Sequence, residues 1–101
     1  MLKSLSDEKI KRLLIECQKS DTVKVLSCVK DGELIAATAS TIYNIFSAME
    51  FFIKIGGVEQ PLYALLPDGN VMLGLISTSP SGIMRSNFYF IARFKDSSFL
   101  N

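Results

Sequence analysis

Between Ser4 and Lys19 apolar residues recur at Ile10, Leu13, Leu14 and Cys17. That spacing of three and four predicts a first helix with one face on a core. Ser6 stands where an N-cap is needed, and Asp7 and Glu8 fill the first turn, where the helix dipole favours negative charge. Leu5, before the cap, has staple spacing to Ile10. Lys9, Lys11, Arg12, Glu16 and Lys19 make the wet side, and Ile15 lies off the apolar stripe.

After Ser20-Asp21 the period changes to that of strands. Thr22–Val29 is a β-branched run, Asp31-Gly32 is a two-residue turn that tolerates positive φ, and Glu33–Ala39 returns as a small-sided second strand. Thr41–Gly57 (TIYNIFSAMEFFIKIGG) then reads as one apolar helix, capped by Ser40 or Thr41 and ended by Gly56-Gly57. Pro61–Leu66 follows as an edge strand, since proline lacks the donor an inner ladder requires. Pro67-Asp68-Gly69-Asn70 is a second tight turn, Val71–Ser77 a strand, Thr78–Gly82 a loop and Ile83–Lys95 a long last strand. In that last strand Phe88, Phe90, Ala92 and Phe94 alternate with Tyr89, Ile91, Arg93 and Lys95.

On a wheel of about 100° per residue the central helix has three sides. Ile42, Ile45, Phe46, Met49, Phe52 and Ile53 fill a sector of roughly 120°, the width of a core-facing stripe. Tyr43, Ser47, Glu50 and Lys54 form a narrow polar stripe. Asn44, Ala48, Phe51 and Ile55 stand on the third side at the spacing of a helix-helix seam. This third side either lies under another part of the same domain or meets a second chain. The element order, helix, two strands, helix, three strands, predicts a single α+β domain over residues 1–101, with a mainly antiparallel five-stranded sheet and one helix on each face.

Composition sharpens this picture. Hydrophobic residues are 49% of the chain, which excludes disorder, and the net charge of +1 gives no global field to draw nucleic acid or an anionic membrane. Residues 1–35 carry 13 charges whereas residues 36–84 carry four, Glu50, Lys54, Glu59 and Asp68, as expected where elements are covered on more than one side. Leu34–Ile53 is nearly uncharged, but it begins as a strand, holds several polar residues and lacks anchoring flanks, so it reads against a membrane span. Cys17 and Cys28 read as buried thiols of a cytoplasmic protein, and the N-terminus lacks the apolar run of a leader.

Chemistry-bearing motifs are scarce. The chain has no histidine, so the usual neutral-pH base and the commonest zinc ligand are missing, and no phosphate-loop pattern surrounds Gly56-Gly57. No enzyme activity and no cofactor are expected. Lys3, Lys9, Lys11, Arg12 and Lys19, with Arg85, Arg93 and Lys95 beside Tyr89, offer an alternative as a small nucleic-acid-binding or virus-encoded inhibitory protein. Interleaved Asp7, Glu8, Glu16 and Asp21 favour an ordinary solvated surface instead.

The first helix, the strand TVKVLSCV, the turn Lys30-Asp31-Gly32, the strand ELIAATA, the helix TIYNIFSAMEFFIKI and the three closing strands together resemble the Roadblock/dynein light chain family, which is similar to longin and profilin-like folds. The connection into the central helix is shorter than usual there, and a final helix is missing. The resemblance implies a non-enzymatic scaffold that dimerises with itself or a paralogue and binds a small Ras-like GTPase or assembles signalling or motor complexes. The implied interface is Asn44, Ala48, Phe51 and Ile55 with the edge Pro61–Leu66, represented by Leu62 and Ala64.

Overall fold

The computed structural model describes residues 1–19, 21–49, 58–78 and 85–101. Six strands form one antiparallel sheet: β1 (Lys3–Ser4), β2 (Val23–Lys30), β3 (Glu33–Leu34), β4 (Val58–Leu65), β5 (Val71–Thr78) and β6 (Arg85–Phe94), in the spatial order β1-β4-β5-β6-β2-β3. Among the described residues the helices are α1 (Asp7–Gln18) and α2 (Ala39–Ser47), and a 3-10 turn covers Ser98–Leu100. The α+β class and the antiparallel sheet agree with the sequence pattern.

The first helix forms much as its residues dictate. The Ser6 hydroxyl accepts from the Lys9 amide at 3.3 Å, Leu5 and Ile10 are both buried, and Leu13 and Cys17 complete the inward stripe. Glu16 departs from expectation. It is buried, because its carboxylate pairs with Lys19 Nζ at 2.8 Å and Arg12 at 3.8 Å while its carbonyl accepts the Thr22 hydroxyl at 2.7 Å.

Sheet boundaries shift for identifiable reasons. The returning strand after Asp31-Gly32 shrinks to Glu33–Leu34, because Thr38 caps α2 and Thr41 Oγ1 accepts the Thr38 amide at 3.0 Å, drawing Ala39 and Ser40 into the helix. The strand expected at Pro61–Leu66 starts earlier, at Val58, and is not a bare edge. Residues Lys3–Ser4 pair with Leu62 and Tyr63, and the Leu5 amide donates to the Pro61 carbonyl at 2.9 Å. The nitrogen of Pro61 points to that same outer side, where no ladder donor is needed, so proline fits. The sixth strand is thus an N-terminal edge cover that helix periodicity hides.

The expectation of one helix on each face is corrected. Tyr63, Leu73 and Phe90 are successive register partners across β4, β5 and β6, so their side chains share one face. On that face Lys9 Nζ of α1 donates to the Tyr63 hydroxyl at 2.6 Å, and Phe46 of α2 meets Phe90 with ring centroids 6.5 Å apart. Both helices therefore lie side by side on one layer. A helix is about 10 Å across and strands are about 4.8 Å apart, so one helix covers about two strands and a four-strand core needs two. The core sits between: Leu13, Ile42, Phe46, Leu73, Phe90 and Leu100 are fully buried there.

Candidate interaction surface

The six residues expected at an interface do not form one patch. Asn44 on α2 and Ala48 at its C-cap are exposed, on the helix side of the sheet. Leu62 and Ala64 face the other way, since they are in register with Gly74 and Met72, one residue out of phase with Tyr63 and Leu73. Phe51 and Ile55 lie outside the described residues. The sheet itself separates the helical pair from the strand pair.

On the helix side, Asn44, Ile45 and Ala48 line a cavity of about 300 Å³ with Glu59, Leu75, Ser86 and Phe88. Its walls are mostly apolar. Glu59 reaches it because β4 begins before Pro61 and the alternation of that strand turns Glu59 to the Tyr63 side. One carboxyl oxygen, Oε2, is buried without a hydrogen-bond partner among the described residues, and burial pushes the Glu59 carboxyl up to about 7. At neutral pH this group exchanges a proton with little driving force either way. Sequence reasoning counted Glu59 only as one of four charges in a quiet region; its isolation in an apolar run was the available sign.

The opposite face carries no helix among the described residues. Leu62, Met72, Ile76 and Ile91 are partly exposed there, and Tyr89 is 37% exposed. Tyr89 turns one edge of its ring to Gly74 of the neighbouring strand: a Cβ at that glycine would stand 3.2 Å from two adjacent carbons of the ring. A register shift between Val25 and Ser27 leaves Leu26 44% exposed near the far side of the sheet. One end is basic. Lys24 and Arg93 are direct register partners, and Lys95 follows at the end of β6. Arg93 Nε donates to Asn70 Oδ1 at 2.9 Å, and Asn70 in turn donates to Asp68 at 3.0 Å, which fixes the guanidinium in place. No acidic residue occupies a described strand position on this face; Asp96 is drawn to the helix side, where Arg12 and Lys19 lower its pKa after its bonds to Ser98 do so.

The thiols are chemically quiet. Cys17 is pushed up to about 12 by burial and by the neighbouring Glu16 carboxylate, and burial raises Cys28 as well, so neither is a thiolate at neutral pH. Among the described residues no three acidic or thiol side chains gather to hold a metal ion, and no helix is long and apolar enough to cross a membrane. No protein family, curated protein or solved structure matches the chain.

Proposed function

We propose that the protein is a non-enzymatic interaction scaffold that works as a dimer, joins through the outer side of α2 and offers partners the face of its sheet that carries no helix among the described residues. The observation that carries this reading is the placement of α1 and α2 on one side, which leaves aliphatic and aromatic side chains of β4, β5 and β6 partly exposed on the other. The α2 side is supported by exposed Asn44 and Ala48, which stand at seam spacing with Phe51 and Ile55 in the sequence. The Roadblock resemblance makes a small Ras-like GTPase the partner class to test first.

Light scattering on the purified chain tests the dimer. The expected mass is that of two copies at micromolar concentration, falling to one copy in Ala48→Arg, which keeps its folded circular-dichroism spectrum because Ala48 is exposed and loses only the part of the melt that association supplied. A monomeric wild-type chain sinks the dimer. Pull-downs against GTPases in both nucleotide states test the partner class, and uniformly negative results remove it.

A further inference from the structure

The chemistry of the open face says more about what it takes. We infer that it docks an amphipathic helix of a partner protein, with the apolar stripe of that helix on β5 and β6 and acidic residues over Lys24 and Arg93. This inference rests on the scaffold reading above and deepens it.

Dimensions fit a helix. The strands β4 and β5 have eight residues each, about 26 Å at about 3.3 Å per residue, which matches a helix of about 18 residues. Met72, Ile76, Tyr89 and Ile91 form a continuous aliphatic and aromatic strip on two adjacent strands, about the width one helix covers. The same sheet already accepts two helices on its other side, where Phe46 meets Phe90.

Charge decides between occupants. Lys24 and Arg93 stand directly opposite each other, a like-charge pair that costs stability in the free protein. Arg93 is also held ready by Asn70. An acidic group between them removes the repulsion. A second copy packed face to face brings the same cations and no acidic strand residue, so it supplies no such group. A nucleic acid strand supplies the charge but finds a mostly aliphatic strip, Met72, Ile76 and Ile91 with Tyr89 alone, where stacking of successive bases needs a series of aromatic faces.

Two dye-labelled synthetic helices of about 18 residues, with one leucine stripe and either a glutamate or a lysine polar face, provide the test by fluorescence anisotropy with the full chain. The glutamate peptide is expected to bind about tenfold tighter at low salt, and to lose most of that advantage at high salt. Methyl NMR shifts should fall on Leu62, Ile76 and Ile91 while Leu13 and Ile42 stay still. The double variant Lys24→Glu, Arg93→Glu, both exposed sites, should reverse the peptide preference while keeping the folded circular-dichroism spectrum. Equal affinity for both peptides, shifts on Leu13 or Ile42, tighter binding of oligothymidylate, or shifts at Ile76 that follow protein concentration alone would each overturn the inference. Loss of peptide binding with the dimer intact removes the inference and leaves the scaffold; loss of both removes both.

Discussion

Glu59 shows how much a single residue owes to its neighbours. Its ordinary carboxyl value is 4.5 and the folded value is about 7, because burial disfavours the charge. The folded state therefore holds the proton more tightly than the unfolded chain, and this contribution is complete below about 4.5 and lost as pH rises through about 7. Glu59→Gln is expected to gain about 1 kcal/mol over the wild type at pH 8 and nothing at pH 4, the full shift being discounted because solvent reaches part of the carboxyl. Urea unfolding at the two pH values checks it. Beyond the isolation of its charge, this was not legible in the sequence, since it depends on β4 starting at Val58 and on the distant Phe88 and Leu75 beside it. By contrast Ser6, Leu5 and Cys17 were readable, because each answers to a partner within one or two helical turns.

At the scale of elements, the turns were the most legible features. Asp31 and Gly32 both take positive φ, 50° and 86°, and the Asp31 carboxylate accepts the Asn87 amide at 2.8 Å, tying the hairpin to β6. A β-branched residue strains that corner, so Gly32→Val is expected to lower stability by about 1–2 kcal/mol. No atom would crowd the added Cβ at Gly32. Its cost would then be conformational, and Gly32→Asn, which tolerates the same region, should recover much of it in thermal melts. The short β3 was misjudged because Ile35 and Thr38 are β-branched and favour a strand locally, whereas Ala36, Ala37 and Ala39 lean to helix and the bonds of Thr38 and Thr41 start one. Local pattern lost to a cap three residues long.

For the whole molecule, the class and the antiparallel pairing were legible, but the side of the sheet each helix takes was not. Amphipathicity fixes that a helix has a buried face; it does not name the layer. The deciding contacts, Lys9 with Tyr63 and Phe46 with Phe90, join residues more than 40 positions apart. Since both helices share one core, its loss should be felt throughout. Phe46→Ala is expected to cost about 3–5 kcal/mol and to lower the melting of helix and sheet signals together, a check for circular dichroism at several wavelengths. Two separate transitions would contradict a single shared core.

The strand order β1-β4-β5-β6-β2-β3 also sets when the chain can fold during its synthesis. Apart from the brief β2–β3 pairing, every ladder that an N-terminal strand makes is with a strand from the second half: β1 with β4 and β2 with β6. A ribosome that has released the first half has therefore released α1 and α2 with almost no sheet beneath them. The meander β4-β5-β6 emerges after them and supplies the template for the rest. Such long-range closure folds slowly, once β6 has left the ribosome, and apolar α2 must wait in the open until its sheet arrives.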